Sequence, residues 1–143
     1  MTLHRKGPPI DFLHGRVDLT HGGGGRAMAQ LVEELFVAAF DNDMLRQAND
    51  QASFTVEAGR MVMSTDGYVI SPLFFPGGDI GSLAVHGTIN DVAMAGAVPL
   101  ALSASYIIEE GLPLADLRRI VFSMAKASRE AGVPIVTGDT KVV

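Results

Sequence analysis

From Arg26 onward, Met28, Leu31, Val32, Leu35, Phe36 and Ala39 recur at intervals of three and four, which predicts one amphipathic helix. Asp41-Asn42-Asp43 predicts its end. Ser53–Glu57 and Arg60–Ser64 read as extended stretches, and Ala58-Gly59 between them predicts a hairpin. A third extended stretch, Gly67–Ile70, follows Asp66. Pro72 and Pro76-Gly77-Gly78 mark a loop, after which Asp79 is placed to cap a helix running to about Ala97. Leu83, Ala84, Ile89, Val92 and Ala93 are among its expected inner positions. Gly87 within it costs about 1 kcal/mol relative to Ala, which points to a close approach by another group.

Leu100–Ile108 again reads as extended, closed by Glu109-Glu110-Gly111. Pro113 suits a helix start, Leu114, Leu117, Val121, Met124 and Ala127 form an inner stripe, and Gly132 predicts the stop. Pro134–Val143 reads as a last strand, interrupted at Gly138-Asp139. Residues 1–20 carry Pro8-Pro9 and scattered charge, an irregular lead-in with a short strand at Gly15–Leu19. Residues 21–143 then form one domain of the mixed α/β (α+β) class, a mixed sheet backed by helices.

Composition narrows the function. Of 143 residues, 48% are hydrophobic and 19% charged, the reverse of a disordered chain. Apolar runs are broken well short of a membrane span, and no secretory pattern opens the chain, so a cytoplasmic protein is expected. Cys is absent, which excludes disulfides and thiolate chemistry within this chain. The net charge is −5 with no Lys/Arg run, which argues against nucleic acid as a partner. Thr140-Lys141-Val142-Val143 is an apolar, strand-like end, as expected of the front part of a longer protein.

Two features can carry chemistry. Gly22, Gly23, Gly24 and Gly25 precede a helix, where free backbone N–H groups welcome an anion. Arg26 follows them directly, so the P-loop pattern fails, and a plain connecting loop accounts for them equally well. Asp66, Asp79, Asp91 and Asp139 stand beside Gly, Asn or Thr at element ends. Singly each reads as a turn former; together they suit Mg²⁺, which takes a few carboxylates plus water and substrate phosphates. His4 and His14 fall in the lead-in, His86 reads as a core histidine, and His21 borders the glycines. No Ser/His/Asp set or metal-binding His pair has suitable spacing.

His21-Gly22-Gly23-Gly24-Gly25, Ser64-Thr65-Asp66, Ser71-Pro72-Leu73-Phe74-Phe75-Pro76-Gly77-Gly78-Asp79-Ile80-Gly81, Asn90-Asp91-Val92-Ala93-Met94, Glu109-Glu110-Gly111-Leu112-Pro113 and Thr137-Gly138-Asp139-Thr140-Lys141-Val142-Val143 occur in that order. Over roughly residues 18–143 the chain resembles the N-terminal half of the HypE family of hydrogenase maturation proteins, carbamoyl dehydratases of the aminoimidazole ribonucleotide synthetase-like (PurM-like) superfamily. The resemblance implies a PurM-like domain whose strands join a partner's in a β-barrel shared by a homodimer. It implies use of ATP and Mg²⁺ to dehydrate a thiocarboxamide on a C-terminal Cys to a thiocyanate, the source of cyanide on the iron of nickel–iron hydrogenases. A HypF-like carbamoyltransferase would supply the carbamoyl group, and a HypC–HypD complex would receive the product.

By the same resemblance, Asp66, Asp91 and Asp139 match the aspartates that hold Mg²⁺–nucleotide, Gly22–Gly25 match a loop near the phosphates, and Lys141 is a charge partner. Asp79 matches less securely, and His86 stands where some relatives carry Cys. The second domain and the terminal Cys are absent from this chain, so by itself it is expected to be inactive. Other readings remain: another PurM-like enzyme such as thiamine-monophosphate kinase, or a non-catalytic dimerisation or adaptor domain. Selenophosphate synthetase fits less well, lacking its N-terminal Cys or selenocysteine here.

Overall fold

The computed structural model describes residues 8–143, so His4 and the start of the lead-in lie outside the described residues. The expected strand at Gly15–Leu19 is realised as an isolated bridge between Arg16 and Pro113. Val17 donates to the Leu112 carbonyl and accepts from Gly111, both at 2.8 Å, and its side chain is fully buried. A 3₁₀ turn, Leu19–Gly22, follows.

The three-and-four spacing after the glycines becomes α1 (Arg26–Leu31), a π-helical stretch (Val32–Val37) and α2 (Ala38–Phe40), which run on without a break. Leu31, Leu35, Phe36 and Ala39 form its buried stripe. Asp41 ends it in the left-handed region at φ 37°. Asn42 then caps the short α3 (Asp43–Arg46) by accepting from Leu45 N–H.

Residues 53–70 depart from expectation. Neither the hairpin of Ser53–Glu57 with Arg60–Ser64 nor the strand Gly67–Ile70 forms a ladder within this chain. The alternation is real, yet Phe54, Val56, Met61, Met63 and Val69 are exposed, Val69 by 99%. A lone hairpin is at best marginal without an apolar layer beneath it, and nothing here offsets the entropy of ordering it.

In the proline-rich loop, β1 (Phe74–Phe75) pairs antiparallel with β2 (Gly78–Asp79). Pro76 followed by Gly77 at φ 96° is the order a type II turn favours. Asp79 then caps α4 (Ile80–Met94), accepting from Gly81 N–H at 2.8 Å and Ser82 N–H at 3.0 Å. The helix stops at Met94, short of Ala97, with Gly96 at φ 69° just beyond it. Gly81 and Val85 are its buried residues; Leu83, Ala84, Ile89 and Val92 are half-buried and Ala93 is exposed. One side of α4 packs on the next helix, while His86, Asn90, Asp91, Ala93 and Met94 are exposed.

The remainder is a β–α–β unit: β3 (Leu102–Ile108), α5 (Leu114–Ala131) and β4 (Ile135–Val142). The strands pair in parallel from Leu102↔Ile135 to Ile108↔Val142, with an irregularity after Leu102. Pro113 and Gly132, the latter at φ 69°, bound α5, and every residue of its expected stripe is buried. Gly138-Asp139 does not interrupt β4. Glycine is required there because a Cβ would strike the Ala104 carbonyl on β3. The main core joins Val17, Leu31, Leu35 and Phe36 to Ile108, Leu117 and Val121; a smaller cluster joins Val85 to Met124, Ala127 and Ile135. The mixture of helices with parallel and antiparallel strands is as expected, and the strands among the described residues form two two-stranded sheets with no closed barrel. No helix among the described residues is long and apolar enough to cross a membrane.

Candidate functional site

The expected site residues fall into two groups. The first lies where the segment before the proline loop crosses α4. Ser64 Oγ donates to Asp91 Oδ2 at 3.2 Å, and Asp66 Oδ1 accepts from Gly67 N–H at 2.8 Å. Both carboxylates are exposed. Tyr68 follows Asp66 by two residues, and its hydroxyl lies against α4 at Gly87. Partial burial, then the Asp66 carboxylate, pushes this hydroxyl above the ordinary tyrosine range. Gly87 lies directly under it: a Cβ at that position would collide with the Tyr68 hydroxyl. The close approach expected at Gly87 is therefore real, and the approaching group is Tyr68.

A cavity of about 440 Å³ opens beside this group, lined by Asp66–Ile70, the facing side of α4, and β3. Its deep wall includes Tyr106, which donates its hydroxyl to Met124 Sδ at 3.0 Å. Burial alone drives the Tyr106 hydroxyl far above its usual range.

The second group lies along β4. Asp139 Oδ1 accepts from Lys141 Nζ and from Thr140 N–H, each at 2.8 Å. The Lys141 ammonium and then the Thr140 amide hold the Asp139 carboxyl below the usual carboxylate range. Gly22 packs against the backbone of Val142 so closely that a Cβ would meet the Val142 amide. Gly23 closes the 3₁₀ turn, Gly24 takes φ 75°, and Gly25 opens α1 without a side-chain cap. The glycine loop is thus held against the end of the strand that carries Asp139 and Lys141.

The structure brings Asp66 and Asp91 to one edge and places Asp139 on β4, opposite Ser105 of β3. Among the described residues no three His, Asp or Glu side chains gather as a ready-made metal cluster. An open pair of carboxylates still suits Mg²⁺, which takes one or two protein carboxylates and fills its shell with phosphate oxygens and water. Asp79 is committed to its helix cap. His21 is also structural: its ring accepts from Asp18 N–H at 3.1 Å, while Asp18 accepts from Thr20 N–H. His86 is exposed on α4, contrary to the core position expected, because that side of the helix is uncovered. His14 is exposed beside Asp11. Tyr68 carried no motif of its own; the lone helical Gly87 was the signal that led to it.

A PurM-like α/β domain with carboxylates on a helix, on a strand and on the segment before its proline loop is a defined class. Residues 48–143 match the family described as AIR synthase related protein, N-terminal domain, and the chain belongs to that family. Within it, the chain is 73% identical over 134 residues to carbamoyl dehydratase HypE of Rhizobium leguminosarum bv. viciae, covering 94% of this chain and 38% of that protein. It is 74% identical over 136 residues to carbamoyl dehydratase HypE of Cupriavidus necator, covering 94% and 39%. The chain thus spans about two fifths of the length of these relatives. A crystal structure of hydrogenase maturation protein HypE in complex with ATP is 58% identical with a TM-score of 0.85, covering 87% of this chain and 37% of that one. A HypE–HypF complex is 53% identical with a TM-score of 0.56, covering 79% and 36%.

Proposed function

We propose that this chain is the nucleotide-binding portion of an ATP-dependent carbamoyl dehydratase of the HypE type. The observation that carries the reading is its likeness, at 58% identity and a TM-score of 0.85, to a HypE crystal structure holding ATP. In this reading Asp66, Asp91 and Asp139 take Mg²⁺ together with nucleotide phosphates. Gly22–Gly25 offer backbone N–H groups to the phosphates, and Lys141 adds positive charge. Mg²⁺–ATP supplies a phosphoryl group that turns the oxygen of a cysteine-bound thiocarboxamide into a phosphate leaving group; loss of that phosphate and both N–H protons leaves the thiocyanate. Phosphoryl transfer needs mainly positioning and charge neutralisation, and α4 and β4 supply the positioning for Asp91 and Asp139.

The proposal extends to a cytoplasmic homodimer, to a HypF-like carbamoyltransferase as donor partner, and to a HypC–HypD complex as acceptor. The HypE–HypF structure supports the first of these two partners.

Asp91→Asn tests the site. It keeps the shape and the Ser64 contact but removes one negative charge from the metal. Calorimetry with and without Mg²⁺ is expected to show ATP binding weakened where Mg²⁺ is present, with the fold intact. Unchanged affinity and unchanged Mg²⁺ dependence would reduce Asp91 to a local turn residue.

A further inference from the structure

The outward side of α5 carries groups that the nucleotide-site reading does not use. Ala115, Arg118, Arg119 and Phe122 recur at three and four beside the buried stripe, so they share one helix face, and all four are exposed. With Phe12 and Leu13 from the lead-in they line a groove of about 370 Å³. Leu13 is 74% exposed and Phe122 is 44% exposed. The Arg118 guanidinium lies 5.6 Å from the centre of the Phe12 ring and 5.4 Å from that of Phe122. The Arg119 guanidinium lies 3.9 Å from the centre of the Phe74 ring on β1. Neither arginine has an ion pair or a side-chain hydrogen bond among the described residues, and the sequence of residues 1–7 holds no Asp or Glu. Arg46 and Arg129, by contrast, are committed to Asp41 and Asp43 and to the Ala39 carbonyl. Asp11, next to Phe12, is taken up by the Leu13 and His14 amides.

A guanidinium stacked on a ring keeps its N–H edge open to a planar, bidentate partner. The ring also fixes its direction, so little rotamer freedom is lost on binding. The groove is thus a pair of aimed cations among exposed apolar groups, on a chain whose net charge is −5. The opposite charge has to come from an occupant. The overall negative charge disfavours nucleic acid, whereas arginine together with aromatic side chains is the composition in which protein interfaces concentrate their binding energy. We propose that this groove docks an acidic segment of a partner protein, with Asp or Glu carboxylates on Arg118 and Arg119 and an adjoining apolar residue against Leu13 and Phe122. The surface is independent of the nucleotide-site reading and stands or falls without it.

A library of random peptides displayed on phage supplies the probe. It is first depleted on the chain carrying both Arg118→Gln and Arg119→Gln, then selected on the unsubstituted chain. The recovered peptides are expected to place Asp or Glu beside Leu, Ile or Phe. Synthesised and followed by fluorescence polarisation, they should bind about tenfold more weakly to either single variant, Arg118→Gln or Arg119→Gln. Binding should also weaken with Phe122→Ala and with rising salt. All three substituted side chains are exposed and Gln and Ala favour a helix, so circular dichroism should show the fold unchanged in each variant. The proposal is overturned if no peptide survives the depletion, if the survivors lack carboxylates, or if Phe122→Ala binds them as well as the unsubstituted chain does. Light scattering of the double variant adds a further check. A fall from dimer to monomer mass on losing the two arginines would assign the groove to a second copy of this chain and overturn the proposal. Tighter binding of a single-stranded oligonucleotide than of the acidic peptides would assign it to nucleic acid and do the same.

Discussion

Tyr106 shows how one half-buried side chain can couple the fold to pH. Its hydroxyl has left water for a single sulfur partner, Met124 Sδ, and burial favours the neutral form. The folded-state value is therefore raised above the unfolded 10.0. The sign follows: the stabilisation is complete below pH 10 and is lost as pH climbs from there toward the folded value. Tyr106→Phe is expected to change stability at neutral pH by about 1 kcal/mol or less, and to flatten the loss of stability on the alkaline side. Denaturant melts at pH 7 and above pH 10 check both halves. At this scale the sequence was uneven. Asp79 was legible as a cap because it stands between Gly77-Gly78 and an apolar run. Tyr68 and Tyr106 were not, since their roles depend on which distant backbone lies against them.

Among the elements, α5 was legible almost to the residue, because Pro113 and Gly132 punctuate it and its apolar stripe meets a core that this chain supplies. The α4 helix was legible at its start and less so at its end. Asp79 is 8% exposed and accepts two of the helix's first amide protons, with Ser82 answering back to the Asp79 N–H. Asp79→Ala strands those two amides in a half-buried place and is expected to cost about 1 kcal/mol, with 2 as the upper end; Asp79→Ser should recover most of it. Thermal unfolding of the two variants decides the matter, and equal loss in both would point to a role other than capping. The end of α4 was read too far because the apolar run Val92–Ala97 continues past Met94, where Gly96 turns the chain. In β4 the reverse error arose: Gly138-Asp139 looked like a break, whereas glycine there lets two strands approach.

For the molecule as a whole, the unpaired segment 53–70 is the outstanding feature. Its alternation of apolar and polar residues is that of half-buried strands, yet Met63 and Val69 are 93% and 99% exposed, and Ile107 on β3 is 75% exposed. Helix patterns were realised because each finds an apolar counterpart; this segment was not, because no apolar layer lies against Met63 and Val69 among the described residues. Unpaired backbone edges and exposed apolar side chains are what a second copy can cover, and a two-fold pair would let each segment lie across the other. The chain is therefore expected to form a homodimer in solution. Light scattering over a range of concentrations should give twice the monomer mass, and placing Lys at both Met63 and Val69 should shift it to monomer. Because both side chains are exposed in the single chain, that change should leave the β3–α5–β4 core folded, as read by circular dichroism. A strict monomer for the unsubstituted chain at every concentration would overturn the homodimer.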